Sequence, residues 1–150
     1  MTDNAYVEGW ALYCESMGKT LGAYKDPYEY LGYLEDDMHR AIRLVVDVGM
    51  HTKGMTREQA TQYSMDNEPA DKAGTIAEIE RYTAYPAQAL SYKVGELKII
   101  GLKNKYEKEL GEKFNLIRFH DALLKDGSMP LDILEKKMDD WAKKQEAAGN

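Results

Sequence analysis

Between Leu31 and Val46 the apolar residues Leu31, Leu34, Met38, Ile42, Val45 and Val46 recur at intervals dominated by three and four. Only a helix gathers such positions into one stripe, here expected to be buried. Pro27 suits the first turn of that helix and Asp26 its cap, so the spacing predicts a helix from Pro27 to about Val48. The same period governs the rest of the chain, and no segment shows the strict alternation of a half-buried strand. The expectation is an all-α fold of about six to seven helices. A single domain over residues 1–150 follows from the length, which suffices to bury a real core.

The remaining helices are placed by their start and stop signals. A first helix is expected from about Ala5 to Met17, ended by Gly18, with a loop over 19–26. Thr56-x-x-Gln59 reads as a capping box that opens a third helix to about Asp66. A fourth follows Pro69 and ends before Pro86. Pro86 suits the first turn of a fifth, which carries Leu90, Val94, Leu97, Ile100 and Leu102 and stops at Gly111. A short sixth runs from Leu116 to Lys125. Pro130 opens a last helix with Leu131, Leu134, Met138 and Trp141 on one side, and the tail after Lys144 is expected to fray.

A net charge of −6 argues against nucleic acid as a partner, since no basic surface would neutralise phosphates. Lys136, Lys137, Lys143 and Lys144 alternate with Asp139, Asp140 and Glu146, the pattern of a solvated face. No run is long and apolar enough to read as a membrane segment, and the N-terminus has no signal-peptide pattern. The lone Cys14 excludes an internal disulfide and a cysteine-based zinc site, and reads as a small buried hydrophobe. The eleven tyrosines suit a cleft lining or an interface, and equally the edges of a core. The eight methionines are scattered, as core filler.

Glu8-Gly-Trp-Ala-Leu-Tyr-Cys-Glu15 sets two carboxylates seven residues apart on one helix face, among Trp10, Leu12 and Tyr13. A carboxylate beside such bulk is costly unless an arginine, a lysine or a metal ion meets it. This string resembles a segment of the bacterial family catalogued as domain of unknown function 885, whose members look like zinc metallopeptidases of the glutamate-ligand (gluzincin) type. Further blocks agree in order: Tyr28-Glu29-Tyr30-Leu31-Gly32 with Arg40 to His51, Gly54 to Ala60, Tyr85 to Gly95, and Phe119-His120-Asp121. By the resemblance Glu8 is the third zinc ligand. The two zinc histidines and the general-base glutamate of the family have no counterpart, since His39, His51 and His120 are each followed by other residues than Glu-x-x-His. The resemblance therefore implies the C-terminal helical part of a longer zinc-dependent peptidase acting on a peptide substrate, inactive alone.

His39, Arg43, Asp47 and His51 repeat every four residues and form a polar ridge beside the apolar stripe. Arg43 and Asp47 are spaced to pair. Two readings stand: a solvated or interfacial ladder of charges, or a ridge facing a cleft, with Arg43 or His51 stabilising an oxyanion. Tyr85 and Tyr92, the latter sharing a face with Gln88, are the candidates to hydrogen-bond a tetrahedral intermediate by analogy with zinc peptidases. Glu15 either buttresses a ligand or pairs with a lysine, and His120 reads as a satisfied structural histidine. The rival to the peptidase reading is a non-catalytic helical module for interaction or oligomerisation. On either reading exposed apolar surface favours a homo-oligomer, with Trp10 and Tyr13 as the expected exposed aromatics.

Overall fold

The structure is a computed structural model and describes residues 3–147. Among them the elements are α1 (Asn4–Met17), α2 (Pro27–Thr52), α3 (Arg57–Asn67), α4 (Lys72–Ala84), α5 (Ser91–Leu110), α6 (Leu116–Leu124) and α7 (Leu131–Ala147). Short 3-10 turns over Gln88–Leu90 and Gly111–Lys113 bracket α5. The fold is all-α, as the period requires.

Local chemistry sets the helix starts. The Asp26 Oδ1 accepts from the Tyr28 and Glu29 amides at 2.8 and 3.0 Å, with Pro27 at the first position. Thr56 and Gln59 close the capping box reciprocally, at 3.2 and 2.9 Å. Asp3, Asp71 and Asn115 cap α1, α4 and α6 in the same way.

Two apolar clusters form the interior. The larger joins α1, α5, α6 and α7 through Tyr6, Tyr13, Ile99, Leu102, Tyr106, Phe119, Leu123, Leu134 and Met138. The smaller joins α2, α3, α4 and the first 3-10 turn through Ile42, Val46, Ala60, Ile79, Tyr82 and Ala89. Helices α1 and α5 meet at glycines. A Cβ on Gly9 would lie 2.3 Å from the Gly95 carbonyl carbon, and one on Gly95 would lie 1.8 Å from the Ala5 carbonyl oxygen. Only hydrogen side chains permit backbones to approach so closely.

Several expectations give way. Of the α2 stripe only Ile42 and Val46 are buried, while Leu31, Leu34, Met38 and Val45 are 48, 43, 50 and 41% exposed. Helices α3 and α4 cover the neighbouring face instead. Helix α5 starts five residues after Pro86, because Ala87 turns into the left-handed region (φ 65°) and gives its amide to the buried Asp47 at 3.1 and 3.2 Å. Once Gly95 sits against α1, Ile99, Leu102, Tyr106 and Leu110 face inward and Val94 and Leu97 outward. Tyr13 is buried and Trp10 packs against it, so neither is the exposed aromatic anticipated; Tyr28 and Tyr85 are. Helix α7 continues past Lys144 to Ala147, and residues 148–150 lie outside the described residues.

Candidate functional site

Glu8 lies on α1 next to Gly9, so the glycine contact with α5 fixes its backbone. It is half-buried. Among the described residues no lysine, arginine or histidine stands within ion-pair distance of it. Two turns on, Glu15 feels burial, which raises its carboxyl pKa. Arg40 on α2 pulls it down, and Asp36, Glu96 and Asp37 push it further up. Its cationic neighbour is thus Arg40 and not a lysine.

Arg40 and Arg43 both lie over the ring of Tyr92, with guanidinium carbons 5.1 and 5.3 Å from its centroid. Side chains of α1, α2 and α5 therefore meet in a charged cluster. The buried Glu96 has the Lys93 ammonium 2.7 Å from its Oε2, near enough for charge pairing but not aligned as a hydrogen bond. Lys93 also binds Asp37. Burial works against the Lys93 ammonium, and its contacts with the Asp37 and Glu96 carboxylates outweigh that and hold its pKa up.

The middle of the ridge on α2 is buried and bonds mainly to other elements, while His51 at its end is exposed. Arg43 is 8% and Asp47 2% exposed, and they do not pair with each other. Arg43 Nε donates to Tyr82 Oη at 3.0 Å and to His39 Nε2 at 3.1 Å, and Nη2 donates to Glu78 at 3.0 Å. Because His39 Nε2 accepts, its Nδ1 carries the proton and donates to Glu68 at 2.6 Å. His51 Nε2 donates to the Tyr82 carbonyl at 3.1 Å. A cavity of 290 Å³ opens beside His39, Ser64, Glu68, Glu78 and Tyr82. Glu78, hydrogen-bonded by Arg81, then by Tyr82, and facing Arg43, has its carboxyl pulled down to about 2 despite partial burial. Tyr82 itself is pushed up to about 12 by burial.

The structure thus joins Arg43 to Tyr92 and ties His51 to the same tyrosine that Arg43 binds, but leaves Tyr85 exposed at the end of α4. Gln88 accepts from Arg81 at 3.1 Å. His120 is satisfied as expected: Tyr13 Oη lies 2.8 Å from its Nε2, and burial first, then Lys103, lowers its pKa. Among the described residues no group of three His, Cys, Asp or Glu side chains could hold a metal ion. The donor set here fits zinc only as one oxygen ligand.

The model of a family of bacterial proteins of unknown function, DUF885, matches residues 1–138. The chain belongs to this family. Two solved structures align with it closely. One, a putative lipoprotein from Colwellia psychrerythraea, shares 46% identity over 94% of this chain and 24% of its own, with a TM-score of 0.90. The other, a putative lipoprotein of unknown function from Shewanella oneidensis, shares 31% identity over 91% of this chain and 25% of its own, with a TM-score of 0.85. The chain spans about a quarter of the length of either relative. No curated protein matches it.

In this DUF885 segment the sequence reading missed Tyr82, Glu78, Glu68 and Arg40. Glu78 and Arg81 carry the three-residue spacing of a helical ion pair, a signal present in the sequence. Nothing local marks Tyr82 or Glu68, whose partners lie 39 and 29 residues away.

Proposed function

We propose that this chain is the C-terminal helical part of a longer zinc-dependent peptidase, in which Glu8 supplies one zinc ligand. The observation that carries the reading is Glu8 itself. It is a half-buried carboxylate on a helix clamped by a glycine contact, and among the described residues no cationic side chain lies within ion-pair distance of it. Such a group suits a metal whose other ligands come from outside the described residues. Zinc bound there would lower the pKa of a water molecule towards neutrality. Tyr92 is the favoured group to stabilise a developing oxyanion, because two guanidinium groups from α2 lie over its ring in the charged cluster. Arg43, His51 and Tyr85 are the lesser candidates. Arg43 and His51 already bond within the chain, and Tyr85 is exposed at the end of α4.

The test is the zinc content of the longer protein after dialysis. Glu8→Ala is expected to lose the metal while far-ultraviolet circular dichroism stays helical, because two remaining ligands do not compete for zinc. Retention of stoichiometric zinc and activity by that variant would discard the ligand role. A second reading, a non-catalytic module for helical interaction or self-association, is favoured by the exposed apolar residues of α2. Under it the longer protein holds no zinc at all.

A further inference from the structure

The exposed side of α2 is periodic. Leu31, Leu34, Met38, Ala41, Val45 and Val48 follow one another at three, four, three, four and three residues. That is the 3.5-residue repeat of a helix seam that meets another helix, and it extends over roughly 26 Å of axis. Four of the six side chains are more than 40% exposed, and Ala41 and Val48 are half-buried. At its C-terminal end the seam runs into a groove of 710 Å³ between α2 and α3, lined by Val45, Val48, Met55 and Tyr63, with Lys53 at its edge. The carboxylate of Glu35 flanks the seam in its N-terminal half, while that of Asp37 is already bound by Lys93.

We infer that this seam is the docking face for a helix from the remaining three-quarters of the longer protein. The inference rests on the reading of the chain as part of such a protein. Three observations choose that occupant. The solved relatives carry about four times the length of this chain, so there is ample chain to cover the face. The repeat demands an α-helix with its own apolar stripe at three- and four-residue spacing. The charges ask for lysine or arginine opposite Glu35 and for a carboxylate opposite Lys53. A second copy in parallel would set Glu35 against itself.

Thiol accessibility tests this without zinc or activity, so its failure is separable from failure of the ligand role of Glu8. In a Cys14→Ser background, Leu34→Cys and Met38→Cys are placed in the 150-residue chain and in the longer protein. Ile117→Cys on α6, 79% exposed, serves as control. Maleimide labelling is expected to be fast at all three positions in the short chain. In the longer protein it should slow at least tenfold at positions 34 and 38 and stay fast at 117. Equal rates at 34 and 38 in both proteins would overturn the inference. So would protection in the short chain that grows with its concentration, because the occupant would then be a second copy.

Discussion

A methyl group at position 95 has no room. Its carbon would sit 1.8 Å from the Ala5 carbonyl oxygen and 2.8 Å from the Gly9 α-carbon, both backbone atoms that no rotamer change can remove. Gly95→Ala should therefore separate α1 from α5 and cost about 3 kcal/mol, the upper range for forcing volume into a packed interior. A urea midpoint unchanged from the parent would contradict that contact. The sequence did not disclose it. A glycine inside a helical pattern reads only as a weak point worth about 1 kcal/mol against alanine. That Gly9 and Gly95 face each other, 86 positions apart, is a property of tertiary packing. Trp10 and Tyr13 show the same limit. They were expected on exposed apolar surface open to self-association, yet His120 comes from α6 to meet both rings at 5.4 and 5.5 Å.

Helix boundaries were legible because caps are local: Asp26 with Pro27, and Thr56 with Gln59, bond within four residues of themselves. Helix faces were less so. Period locates a stripe but not the neighbour that covers it, which is why the Ile42–Val46 edge is buried and the Leu31–Leu34–Met38 edge is not. Spacing also left Arg43 and Asp47 free to pair, whereas α4 takes the first and the turn at Ala87 takes the second. This tie between α2 and α4 has a pH signature. The folded pKa of Glu78 is lowered, from an ordinary 4.5 to about 2, so its contribution is present above about 4.5 and is lost as pH falls towards 2. The stability difference between the parent and Glu78→Gln, from urea unfolding, should shrink steadily across that window. A difference that stays constant from pH 5 to 2.5 would mean that the Arg81 and Arg43 contacts do not hold the carboxylate.

At the scale of the whole molecule, a charged cluster from α1, α2 and α5 stands beside the two apolar clusters, and in it Tyr92 lies beneath two guanidinium groups. Half of that arrangement was readable as residue types in order, and the stacking of Arg40 and Arg43 on one ring was not. The arrangement separates positioning from structure in the longer protein. Tyr92→Phe keeps the ring, and with it the cation–π contacts, and removes only the hydroxyl. If that hydroxyl stabilises an oxyanion, kcat should fall by roughly a hundredfold or more, with zinc content and melting temperature unchanged. Arg43→Ala is different in kind. It strips partners from Tyr82, His39 and Glu78 together and should lower stability by about 2 kcal/mol, the range for leaving a buried polar group such as the Tyr82 hydroxyl without its partner. The two variants together decide the roles on one measurement of kcat beside one of melting temperature. Full turnover by Tyr92→Phe would remove the tyrosine from the chemistry, and an Arg43→Ala protein that melts normally but turns over slowly would move the oxyanion role from the ring to the guanidinium.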